Sequence, residues 1–177
     1  VVVLIAGASH TGKTVLAQKL VEKYGYSCLS LDLLKMGLIR SGQTSLTPED
    51  DDKLTAYLWP IAAEMVKTAI ENGQHLIVEG CYIPFNWQES FAIEYLRHIR
   101  FCCLVLSEGF IRKNFSAMQA HANDVEQRLE DGGFSIETAI QGNAAWQAGC
   151  KACGLPYTLI EGEYHLPLEL FREGYLK

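Results

Sequence analysis

Nowhere does the sequence stay apolar for the ~20 residues that a membrane-spanning helix needs, so no membrane association is expected. Basic residues are outnumbered, 15 Lys and Arg against 21 Asp and Glu. The resulting net charge of −6 argues against a surface that coats nucleic acid, but not against a small ligand held by a local group of charges. No basic flank precedes the apolar start, so Val1–Ala6 reads as a strand and not as an export signal. Cys150 and Cys153 form a C-x-x-C without the second ligand pair that a zinc site requires. Four of the six cysteines lie in or beside apolar runs, where a thiol packs as a small hydrophobe. There is no internal repeat, low-complexity tract or linker, and one domain over residues 1–177 is expected.

What is present is organised around Gly7–Thr14, Gly-Ala-Ser-His-Thr-Gly-Lys-Thr, which fits the phosphate-binding pattern G-x-x-x-x-G-K-[ST]. Gly7 and Gly12 permit backbone angles closed to other residues. The N–H groups of Gly7, Ala8, Ser9, His10, Thr11, Gly12, Lys13 and Thr14 can then turn inward around a phosphate. Lys13 supplies an ammonium for the outer phosphates, and the Thr14 hydroxyl is an expected Mg²⁺ ligand. His10 is assigned no acid–base role. The β-branched run before the loop reads as a buried parallel strand, and the apolar spacing after it as a helix. That helix directs its N-terminal partial charge at the anion. ATP and Mg²⁺ are the expected ligands, and the cytoplasm, where thiols stay reduced, is the expected compartment.

Strand and helix signals then alternate, which predicts a parallel sheet covered on both faces. Strands are expected over 27–31, 75–78, 101–106 and 157–160. Thr47-Pro48-Glu49-Asp50 reads as a helix start with Thr47 at the N-cap. Pro60 is expected to kink or split the helix that follows. Residues 86–97, 108–129, 136–153 and 167–171 read as further helices, and all three tryptophans as core. Asp32, at the end of the second strand, is placed to face the γ-phosphate and to act as a general base. Glu79 closes an apolar strand and is placed to orient Mg²⁺ through water. Lys35 and Arg40 follow Asp32 and could bind an anionic group on a polar or anionic acceptor.

No N-K-x-D guanine reader and no L-S-G-G-Q transporter signature accompanies the loop, and the length leaves no room for an AAA module with its added helical domain. The chain resembles the small P-loop kinases: the nucleoside monophosphate, shikimate, gluconate and zeta-toxin-like group. The likeness rests on the glycine loop, on Ser30-Leu31-Asp32-Leu33-Leu34-Lys35, similar to the adenylate kinase segment ending G-D-M-L-R, and on Ile77-Val78-Glu79-Gly80. The chain departs from the adenylate kinase D-G-F-P-R, because no arginine follows in Glu79-Gly80-Cys81-Tyr82-Ile83. The resemblance implies a three-layer α/β fold with sheet order 2-3-1-4-5, an acceptor segment at about 32–74 and a lid at about 108–133. It implies that lid arginines, Arg112 foremost and Arg128 at the nucleotide, neutralise the transferring phosphoryl. The expected activity is transfer of the ATP γ-phosphoryl to a small hydroxyl acceptor. A nucleoside monophosphate kinase and a non-catalytic nucleotide-binding switch are the alternatives.

Overall fold

The computed structural model describes residues 1–121 and 134–168. Five parallel strands form one sheet: β1 Val2–Gly7, β2 Ser27–Ser30, β3 Leu76–Glu79, β4 Ile99–Leu106 and β5 Thr158–Ile160. Their order is β2-β3-β1-β4-β5, as the resemblance implied. The helices are α1 Lys13–Tyr24, α2 Leu31–Arg40, α3 Asp51–Glu71, α4 Ile93–Leu96, α5 Glu108–His121 and α6 Ile136–Ala152. The carboxyl ends of β1 and β3 lie side by side, with Ile5 in register with Glu79.

The alternation within β1 explains the layering. Val2, Leu4 and Ala6 enter a core with Leu54, Leu58, Ala62 and Val66 of α3, while Val3 and Ile5 face Leu16, Ala17 and Leu20 of α1. Each fully buried leucine contributes about 1.5–3 kcal/mol relative to exposure, so the two faces of β1 clamp the glycine loop at its tip. A third cluster joins Leu106, Phe110, Ile111, Ala139 and Ile160. Cys150 is fully buried in the first cluster, and Cys153 is exposed at the end of α6. No helix among the described residues is long and apolar enough to cross a membrane.

Three local expectations need correction. Of the kink or split expected at Pro60, the split does not occur: α3 runs on through Pro60, with buried side chains on both sides of it packed in the first cluster. Residues 86–97 form only a 3₁₀ turn at Trp87–Ser90 and the one-turn α4. There Trp87 stacks on Phe101 at 5.7 Å, and that inward packing sets the local path in place of helical continuity. Helix α3 also starts after Asp50, not Thr47; the Asp50 N–H donates to the Thr47 carbonyl at 3.1 Å in a preceding turn.

Asp50 ties that turn together. Its carboxylate accepts from Lys53 Nζ at 2.7 Å, from the Thr47 N–H at 3.0 Å and from the Thr47 hydroxyl at 3.1 Å. These bonds, the Lys53 one first, hold its pKa down to about 2 from an ordinary 3.8. A depressed carboxyl stabilises the fold above its ordinary pKa and loses that contribution as pH falls through the folded value. Asp50→Asn is therefore expected to melt below the parent at neutral pH, and the gap should close between about pH 4 and pH 2. Thermal melts over that range check this; a gap that stays constant would contradict it.

Candidate active site

The loop has the backbone its sequence demands. Gly7, His10 and Gly12 have φ of 139°, 62° and 88°. A Cβ on Gly7 would lie 2.4 Å from the Leu104 carbonyl oxygen of the neighbouring strand, so only glycine fits there. The Thr11 hydroxyl donates to the Ala8 carbonyl at 2.9 Å and steadies the turn from inside. Lys13, 7% exposed, opens α1 and folds its ammonium onto the same Ala8 carbonyl at 2.7 Å. The His10 ring stacks on Phe134 with centroids 3.8 Å apart.

Beside the loop, the Thr14 hydroxyl donates to Glu79 Oε2 at 3.3 Å. Glu79 is only 1% exposed. A hydroxyl and a buried carboxylate at a phosphate-binding loop are hard oxygen donors that suit Mg²⁺. No group of three His, Cys, Asp or Glu among the described residues could cage a metal. The donor set therefore fits a cation that keeps water and phosphate oxygens as its other ligands.

Asp32 lies in the first turn of α2, one step beyond the strand end expected for it. Its carboxylate accepts from Lys35 Nζ at 2.8 Å, and the same ammonium donates to the Tyr82 hydroxyl at 2.9 Å. Tyr82 in turn donates to Asp51 at 3.1 Å. Burial, followed by the negative neighbours Cys81, Asp32 and Asp51, pushes the Tyr82 phenol well above its ordinary range, so it stays a donor. Burial also raises the Cys81 thiol, with Lys13 acting the other way and Asp32 and Asp51 adding to the rise. Lys13, Asp32, Lys35 and Asp51 thus act on one point.

This cluster borders a cavity of about 760 Å³ lined by Ala8, Ser9 and His10 of the loop, and by Cys81, Tyr82 and Trp146, among others. Trp146, half-buried against the first core cluster as expected, also forms part of the wall, in edge contact with Phe85 at 4.9 Å. Cys81, Tyr82 and Asp51 carry no motif; the pairing of β2 with β3 and the packing of α2 on α3 bring them to Asp32.

Other candidates are placed elsewhere. Arg40 is exposed at the end of α2. Arg112 pairs with Glu108 at 2.8 Å along an exposed face of α5. Arg128 and the rest of the expected lid beyond His121 lie outside the described residues. A residue without a sequence signal, Tyr164, reaches the loop: its hydroxyl donates to the Thr11 carbonyl at 3.2 Å. Burial holds that phenol up to about 12, so it remains protonated at neutral pH. A Cβ on Gly12 would lie 1.6 Å from the hydroxyl, a second reason for glycine there beside its positive φ.

Residues 2–107 match the family model described as AAA domain. The chain belongs to the AAA domain family. The matched stretch of this AAA domain protein runs from β1 to just past β4 and covers the loop, Asp32 and Glu79. The expectation from length is corrected to that extent: the family is an AAA one, matched over its nucleotide-binding core. No curated protein matches the sequence. Among solved structures, deoxyadenosine kinase from M. mycoides superposes with a TM-score of 0.54 at 12% identity, covering 96% of this chain and 93% of that one. A protein from Chloroflexus aurantiacus j-10-fl gives 0.51 at 16%, covering 90% and 86%. Shikimate kinase from Aquifex aeolicus vf5 gives 0.42 at 14%, covering 86% and 99%. At such identities the likeness of the first two is one of fold alone, and the fold is the three-layer α/β P-loop fold with sheet order 2-3-1-4-5.

Proposed function

We propose that this protein is an ATP-dependent kinase that transfers the γ-phosphoryl group to the hydroxyl of a small molecule. The observation that carries the reading is the continuity of three parts: the glycine loop, the Thr14–Glu79 pair, and a cavity whose wall includes the loop residues Ala8, Ser9 and His10. A nucleotide-binding switch has no need of a chamber at this place, and that observation ranks it below an enzyme.

The residues divide the work. Loop N–H groups and Lys13 bind and orient the phosphates. Thr14 and Glu79 would hold Mg²⁺, which when bound supplies charge neutralisation on the phosphate oxygens. Lys35 fixes the Asp32 carboxylate near the acceptor, and Asp32 takes the hydroxyl proton. In the transfer the acceptor oxygen bonds to phosphorus, the bridging P–O bond breaks, and its electron pair leaves with ADP. Arg112 would join only if the Glu108 pair opens, so its part is a lid movement.

The test is ADP release from Mg·ATP across alcohols, sugars, nucleosides and nucleotides. A hydroxyl compound that raises release well above the water-only rate is expected. Stimulation by nucleoside monophosphates alone would favour a phosphate acceptor.

A further inference from the structure

Among the described residues, the acidic and basic side chains that line the cavity next to the loop are all acidic. Glu49 from the turn before α3 and Asp51 and Asp52 from its first turn line it together with Tyr82, Phe134 and Trp146, and no lysine or arginine lines it among the described residues. Lys35, beside the lining residue Tyr82, is already held between Asp32 and Tyr82. Glu49 and Asp52 have no ion-pair partner among the described residues. The N-terminus of α3 offsets only about half a charge, against three carboxylates. A carboxylate or phosphate on the acceptor would meet like charge there. An ammonium would meet carboxylates and aromatic side chains in the same lining, the surroundings that retain cationic amines.

From this we infer that the acceptor is a cationic hydroxyl compound of the amino sugar or amino alcohol class. Its ammonium sits among Glu49, Asp51 and Asp52, and its hydroxyl points to the glycine loop. The inference rests on the kinase reading for the hydroxyl's role, but the charge preference is a property of the cavity itself. Of the polar or anionic acceptor expected with Lys35 and Arg40, it keeps the polar class and replaces the anionic one.

Glucosamine, glucose and gluconate share a carbon skeleton and differ in charge, so they isolate the effect. Their binding is measured by calorimetry on the full chain with a non-hydrolysable Mg·ATP analogue present, and their turnover by ADP release; kanamycin extends the series to a larger polyamine. The expected order is amine over neutral sugar over acid, with about tenfold between glucosamine and glucose. Asp52→Asn and Glu49→Gln, both at exposed positions outside the catalytic machinery, should remove most of that preference while leaving Mg·ATP affinity unchanged. Gluconate binding as well as or better than glucosamine, a preference untouched by both variants, or no binding by any of the four compounds would overturn the inference. Amine binding without turnover would keep the charge assignment and overturn the kinase reading, so the two fail separately.

Discussion

Lys13→Ala is expected to remove nearly all phosphoryl transfer, a loss on the order of 10²–10³ or more in kcat. The ammonium is the one fixed positive side chain inside the loop, and its present partner is the Ala8 carbonyl at 2.7 Å. A phosphate arriving in the loop offers it a charged acceptor in place of a neutral one, which roughly doubles the strength of the bond. Binding of Mg·ATP should weaken as well. The effect separates from folding through melting temperature. The rise in Tm that Mg·ATP gives the parent should largely vanish in the variant, whereas the Tm without nucleotide should change little. Calorimetric titration and steady-state rates provide the comparison. Equal affinity and equal turnover in the two proteins would mean that the loop does not hold a nucleotide.

Asp32→Asn should lower kcat by about 10²–10⁴ on a hydroxyl acceptor, with ATP affinity nearly unchanged. The substitution keeps the shape and one hydrogen-bonding oxygen but removes the base. It also breaks the ion pair with Lys35, whose side chain is 13% exposed, so some loss of stability is expected in any case. Lys35→Met is the control: it removes the same pair and leaves the carboxylate. If Asp32 is the base, Lys35→Met should retain much more activity than Asp32→Asn at comparable Tm. A phosphate acceptor is already ionised and needs no base, so the same change would then mainly raise the KM for the acceptor. In a non-catalytic switch both variants would cost stability alone. A near-normal kcat for Asp32→Asn on a proven hydroxyl substrate would remove Asp32 from the mechanism.

The sequence by itself determined the parts of the protein governed by local geometry. The β-branched run, the two glycines and Lys13-Thr14 specify a strand, a turn with positive φ and a helix start within fourteen residues, and each appears where it was read. The sheet order followed from resemblance, not from any pattern in the strands, because period and composition say which face of a strand is buried but not which strand lies next to it. The Asp32–Lys35 pair is also local, since residues three apart share a helix face. Its consequence, that Lys35 is spent on Asp32 and Tyr82, was not legible, because Tyr82 is 47 residues away.

Tertiary structure alone decided the rest. Thr14 and Glu79 meet across 65 residues because parallel β1 and β3 end side by side. Trp146 forms cavity wall although its helix has an ordinary apolar pattern, and Tyr164 is carried to the glycine loop from beyond β5. At Pro60 the packing of α3 in the first cluster keeps the helix from splitting. The charge of the acceptor cavity belongs with these. In the sequence, Glu49, Asp51 and Asp52 are a favourable first turn for a helix, and Lys35 and Arg40 are the available cations. Which of the two groups lines the cavity beside the loop depends on how the start of α3 meets the segment after β3, where Tyr82 donates to Asp51, a contact between distant segments that no local spacing encodes.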